Sequence, residues 1–86
     1  MKVDRTATSF LLSVKSLTDV PFNEPLEIAA VKGDPAIATR LRELGFRRGV
    51  SIQVIGQAPF GGPYLVQIHS NVLALRRNEA ECLLVL

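Results

Sequence analysis

The sequence predicts a mainly β domain: a small, partly closed antiparallel β-barrel with one inserted α-helix at about 35–44 and a short helical turn near 78–81. Three observations carry that prediction. After Gly49 the pattern changes to that of strands: Ile52 and Val54, then Tyr64, Val66 and Ile68, recur with a period of two, the mark of half-buried strands. Pro35 to Leu44 instead carries a helical period between clear start and stop signals. In all, the pattern yields five short strands, too few for two full sheets, and a small barrel protects edges that an open sheet would expose.

The elements follow in chain order. The first eight residues are polar or small and are expected to fray, within a partly flexible N-terminal extension of residues 1–15. Phe10 to Val20 has no clean period and admits either a short helix or an extra strand. Pro21 and Pro25 bracket a turn at Phe22-Asn23-Glu24. Leu26 to Val31 reads as a strand, with Leu26, Ile28 and Ala30 on one face and Glu27 on the other. Asp34 then starts the helix. Its carboxylate can cap the free N–H groups, and Pro35 suits a first helical position that needs no N–H. Ile37, Leu41 and Leu44 form an apolar stripe. Gly45 supplies the left-handed residue past the last turn, and Phe46 folds back onto Leu41.

Strands resume at Ser51 to Ala58, with Ile52 and Val54 sharing a face. Pro59-Phe60-Gly61-Gly62-Pro63 is a turn, because neither helix nor strand absorbs that composition. Tyr64 to His69 places Tyr64, Val66 and Ile68 opposite Leu65, Gln67 and His69. Ser70-Asn71 reads as a tight hairpin from which Val72 to Arg76 returns. Asn78 to Glu81 looks like a one-turn capping box, with Asn78 as cap and Glu81 reaching back. Leu83 to Leu86 closes the domain, which spans 16–86.

Composition narrows the function. An 86-residue chain holds one small domain. With 48% hydrophobic and 21% charged residues it has the balance of a folded globule. A net charge of +2 is too small to imply nucleic acid, which calls for a dense basic face. The lone Cys82 cannot form an internal disulfide, which favours a reducing compartment. Lys2 and Arg5 before Phe10-Leu11-Leu12 imitate a signal peptide. Ser13 and Lys15 interrupt the apolar stretch, however, and no small-residue cleavage site follows. The reading is a cytoplasmic protein without a transmembrane helix.

Catalysis finds little support. His69 and Cys82 are the only candidates for a nucleophilic pair, and Cys82 precedes Leu83-Leu84-Val85, where a thiol behaves as a small core residue. No CxxC, HxxxH or HExxH spacing marks a metal site, and Gly61-Gly62 lacks the lysine and helix of a phosphate-binding loop. No metal ligand and no cofactor is assigned. Seven of the ten basic residues are arginines, with Arg40, Arg42, Arg47 and Arg48 near the helix end. Part of that cluster complements the helix dipole, and part suits bidentate pairing at an interface. Phe60, at the centre of its turn, has few neighbours to bury against and reads either as a lid on its own barrel or as an exposed anchor with Tyr64 nearby. The candidate partner-binding residues are Phe60, Gly61, Gly62, Tyr64, Arg40, Arg47 and Arg48.

Taken in order, Gly33-Asp34-Pro35, Arg40-Leu41-Arg42-Glu43-Leu44-Gly45-Phe46, Gly49, Ala58-Pro59-Phe60-Gly61-Gly62-Pro63 and Ala74-Leu75-Arg76-Arg77-Asn78-Glu79-Ala80 resemble the FeoA family, small components of bacterial ferrous-iron uptake. The resemblance covers most of the chain from Leu17. It implies an SH3-like barrel and a non-enzymatic accessory of FeoB, a membrane permease with a cytosolic GTP-binding domain. A narrower version has Arg40, Arg47 or Arg48 enter the GTP site as an arginine finger. The chain departs from the family pattern at Asn23, usually glycine, and at Gly62, often acidic. Asn23 tolerates left-handed geometry, so that turn is expected to survive. The same barrel ends DtxR-type metal-dependent repressors, which makes a metal-sensing module an alternative. A nucleic-acid-binding small barrel is another. A homo-oligomer stays open.

Overall fold

The computed structural model describes residues 14–86. The frayed start and the Phe10–Ser13 part of the ambiguous segment lie outside the described residues. The chain runs β1 (Lys15–Ser16), a 3-10 turn (Leu17–Asp19), β2 (Leu26–Val31), α1 (Pro35–Glu43), β3 (Ser51–Gln57), β4 (Tyr64–Ile68), β5 (Asn71–Leu75), α2 (Arg77–Ala80) and β6 (Leu83–Val85). The strands form one sheet in the order β1-β6-β2-β3-β4-β5, with every pairing antiparallel. A sixth strand therefore joins the five expected. Part of the ambiguous segment is both things in turn: Lys15–Ser16 pairs with β6, and Leu17 then enters a 3-10 turn and the core.

Two bulges coil the sheet around its core. On β2, Ile28 and Ala30 face Val85 and Leu84, so Ala29 is an extra residue. The bulge resets the alternation, and Val31, not Ala30, is buried with Ile28. On β3 the register shifts between Val54 and Gly56 opposite Val66 and Leu65. The expected faces of β3 and β4 hold: Ile52, Val54, Tyr64, Val66 and Ile68 all point into the core. Asn23 keeps its turn in the left-handed region at φ 62°, and its N–H donates to the Val54 carbonyl at 2.7 Å.

Helix α1 forms as its end signals require. Asp34 Oδ1 accepts from the Ala36 and Ile37 N–H groups at 2.8 and 3.3 Å. At the other end Gly45 sits at φ 105°, its N–H donates to the Arg42 carbonyl, and the Phe46 N–H donates to that of Leu41, both at 3.0 Å. This Schellman ending drives Phe46 into the core beside Leu41. The inward face is Ala38 and Leu41, with Ile37 at its margin. Leu44 leaves the expected stripe and is exposed, because the helix stops at Glu43 and Phe46 fills the space below the last turn.

Two turns sit away from their expected positions. The β4–β5 loop is His69-Ser70, with Ile68 opposite Asn71, one residue earlier than predicted. His69 takes the left-handed position at φ 54°, a conformation histidine accepts more readily than most residues. Helix α2 starts at Arg77, and Glu79 replaces Glu81 as the residue that reaches back. Its Oε1 accepts from the Arg76 N–H at 2.9 Å. Asn78 Oδ1 accepts from the adjacent Glu79 N–H and does not cap from outside the helix. Glu81 instead pairs with Arg77 at 3.2 Å across one turn.

Candidate functional site

The β3–β4 turn is a closed frame. The Ala58 N–H donates to the Pro63 carbonyl at 2.9 Å, and the Gly62 N–H is shared between the Ala58 and Pro59 carbonyls at 3.2 Å. Gln57 Nε2 donates to the Gly62 carbonyl at 3.2 Å. Closing the turn in this way puts Phe60 and Gly61 successively in the left-handed region, at φ 61° and 70°. For Phe60 that conformation costs about 1–2 kcal/mol. The ring is also wholly exposed, at 106% of its reference area, so no packing offsets the strain. Leaving a phenylalanine in water forgoes about 1.5–3 kcal/mol of burial. The ring is thus not a lid on its own barrel.

Gly62 is fixed by close approach. A Cβ there would stand 2.8 Å from the Ala58 Cβ and 3.1 Å from the Pro59 carbonyl oxygen. The frame of this turn therefore has no room for an acidic side chain at Gly62. Tyr64 does not share the surface of Phe60: it is 5% exposed and belongs to the core.

The structure divides the arginines between the two sides of α1. Arg40 turns toward α2, where Nη1 lies 3.1 Å from Glu79 Oε2. Arg42 turns toward β2 and donates from Nη2 to the Val31 carbonyl at 3.1 Å. Arg47 folds back to donate from Nε to the Arg42 carbonyl at 3.3 Å. On the Arg40 side lies a groove of about 410 Å³, lined by Ile37, Arg40, Pro63, Ala74, Arg76 and the residues Asn78 and Glu79. Pro63 closes the Phe60 turn, so this groove opens at its foot. Arg47 and Arg48 line a different cleft, between β2 and the end of α1. Of the sequence-predicted residues, Phe60, Gly61, Gly62 and Arg40 thus belong to one region and Arg47 and Arg48 to another. Sequence reasoning missed Ile37, Ala74 and Arg76 as groove walls. Arg76 was visible as a cation just after a strand, but its juxtaposition with Arg40 depends on the packing of α2.

The residues considered for catalysis stay apart. His69 lines a depression of about 410 Å³ with Pro25, Gln53 and Gln67, in which Cys82 takes no part. Cys82 is buried against Gly33, and its Sγ donates to the Asn78 carbonyl at 3.3 Å. Among the described residues, no three of the His, Cys, Asp and Glu side chains converge as metal ligands. Nor is any described helix long and apolar enough to cross a membrane.

Comparison with known proteins places this geometry. The FeoA domain family matches residues 15–86. The crystal structure of Stenotrophomonas maltophilia FeoA is 36% identical, with a TM-score of 0.72 over 83% of this chain and 88% of that one. That protein was solved in complex with zinc and described as an SH3 domain protein, a candidate activating factor of bacterial ferrous iron transport. The solution structure of FeoA from Chlorobium tepidum is 35% identical, with a TM-score of 0.75 over 83% of this chain and 68% of that one. A manganese-dependent transcriptional repressor, 19% identical over 86% of this chain and 41% of its own, shares the fold with a TM-score of 0.77. A search of curated proteins returned no match. The six-stranded sheet with its two short helices is accordingly an SH3-like barrel, and the chain belongs to the FeoA family of iron-transport proteins.

Proposed function

We propose that this protein is a non-enzymatic cytosolic accessory of ferrous-iron uptake that docks on the cytosolic part of a FeoB-type permease. Phe60 is its anchor, and the groove at the foot of its turn is the seat. The observation that carries this reading is the state of Phe60: a large apolar ring, wholly exposed, on a backbone held in a strained conformation by a hydrogen-bonded frame. Strain at an exposed aromatic, with no internal contact to offset it, is the condition of a residue whose packing partner lies on another molecule. The groove adds an apolar floor from Ile37, Pro63 and Ala74 between the cations Arg40 and Arg76. An apolar centre with a charged rim is the usual anatomy of a transient protein interface.

The test is a pull-down of solubilised permease with immobilised full-length protein, run beside ferrous-iron uptake in cells that depend on it. The Phe60→Ala variant is expected to lose both capture and uptake while keeping its melting temperature. Undiminished capture by that variant refutes the anchor.

A further inference from the structure

We infer that the cleft between β2 and the C-terminal end of α1 is a binding site for a phosphoryl anion. The site stands apart from the docking surface and does not depend on it. The cleft encloses about 570 Å³ and is lined by Lys32, Arg42, Arg47 and Arg48 over a floor of Ala29, Ala30 and Val31. Four cationic side chains converge there, and among the described residues no carboxylate lines the cleft. Among the described residues the two ion pairs are Arg40–Glu79 and Arg77–Glu81, so none of these four pairs with a described carboxylate. Four like charges in one concave space repel one another, and that cost is recovered when a multiply charged anion enters.

The geometry of the donors favours phosphate over carboxylate. Arg42 is held to the Val31 carbonyl and Arg47 to the Arg42 carbonyl, each through one nitrogen. Their other guanidinium N–H groups make no hydrogen bond among the described residues and are oriented to donate. Arg48 and Lys32 make no side-chain hydrogen bond or ion pair among the described residues and arrive from the loop after α1 and from the end of β2. Donors from a strand end, a helix and a loop surround the cleft from several directions. A planar carboxylate fills one guanidinium fork and carries one charge. A phosphoryl group presents three acceptor oxygens and up to two charges, and so takes several of these donors at once. The bulge at Ala29 and the small side chains of Ala29 and Ala30 keep the floor of the cleft open.

The experiment is a nitrogen-15 NMR titration of the full chain with sodium pyrophosphate, beside sodium chloride at matched ionic strength. Saturable shifts are expected at the Ala29–Lys32 amides and at the Nε–H signals of Arg42, Arg47 and Arg48. Those of Arg76 and Arg77 stay still. The double variant Lys32→Gln/Arg48→Gln, which removes no internal hydrogen bond of the described chain, should weaken binding at least ten-fold with an unchanged melting temperature. Flotation with phosphatidic acid vesicles separates the sources. Retention that depends on Arg48 assigns a lipid headgroup, and a pyrophosphate response without retention assigns a soluble phosphate; either upholds the site. Shifts that chloride reproduces overturn it. So does a poly-glutamate peptide that occupies the cleft more tightly than pyrophosphate, which would make the site a dock for an acidic protein segment.

Discussion

Arg40 Nη1 stands 3.1 Å from Glu79 Oε2, and this contact ties α1 to α2 at the edge of the groove below Phe60. The two partners are unequal: the Arg40 side chain is 70% exposed and that of Glu79 only 9%. Glu79 also accepts the Arg76 N–H through its other oxygen. Its carboxylate therefore has three tasks: it positions Arg40, it starts α2 and it walls the groove.

Removing Glu79 should cost more than removing Arg40. Glu79→Ala strands the Arg76 N–H at the start of α2 and removes the carboxylate that ties α2 to α1, a loss of about 1–3 kcal/mol. Arg40→Ala removes an exposed partner and costs at most about 1 kcal/mol. Urea denaturation of both variants checks the order. Equal losses would mean that the buried carboxylate has no anchoring role.

Phe60→Gly should leave stability unchanged or raise it by up to about 1 kcal/mol. Glycine adopts the left-handed conformation at φ 61° without strain, and a fully exposed ring gives up no packing. The looser unfolded chain of the glycine variant limits the gain. Calorimetry reads the outcome directly, and a loss above 1 kcal/mol would reveal a packing role for the ring.

Gly33→Ala meets two obstacles. The residue sits at φ 100°, and an added Cβ would lie 2.8 Å from Cys82 Sγ. Of these, Cys82→Ala relieves only the collision. The double variant should therefore be more stable than the sum of the two single losses implies, by about 0.5–3 kcal/mol. Strict additivity would show that backbone strain alone sets the cost.

Gly62→Asp tests the frame of the Phe60 turn. The new Cβ strikes the Ala58 Cβ, so the turn must open and Phe60 must shift. A fall of about 1–3 kcal/mol is expected, partly restored by Ala58→Gly, which removes the atom struck. Thermal melts of the single and double variants decide. A stable single variant would mean that the frame adapts freely.

Much of this architecture could be read from residues close together in sequence. Asp34-Pro35 and Gly45 bound α1 because caps act within one turn of chain. The Pro59–Pro63 composition left Phe60 without an obvious place to bury, and the structure leaves it in water. What escaped depends on distant partners. The Ala29 bulge is a product of pairing with β6, and it alone decides that Val31 replaces Ala30 inside. The start of α2 at Arg77 rests on Glu79, which is held by Arg40 on another helix. Two site features were nonetheless written locally. Residues two apart on a helix point about 200° apart, which already separates Arg40 from Arg42. The alternation that put Tyr64 with Val66 and Ile68 already placed it inward.

The measurement that bears most directly on docking through Phe60 is the affinity of the full chain for solubilised permease, compared between wild type and Phe60→Ala. An anchoring ring should be worth about 2 kcal/mol or more, so the variant's Kd should rise roughly 30-fold or beyond at an unchanged melting temperature. A Kd within two-fold of wild type would contradict the account, and the permease would have to grip another face of the barrel.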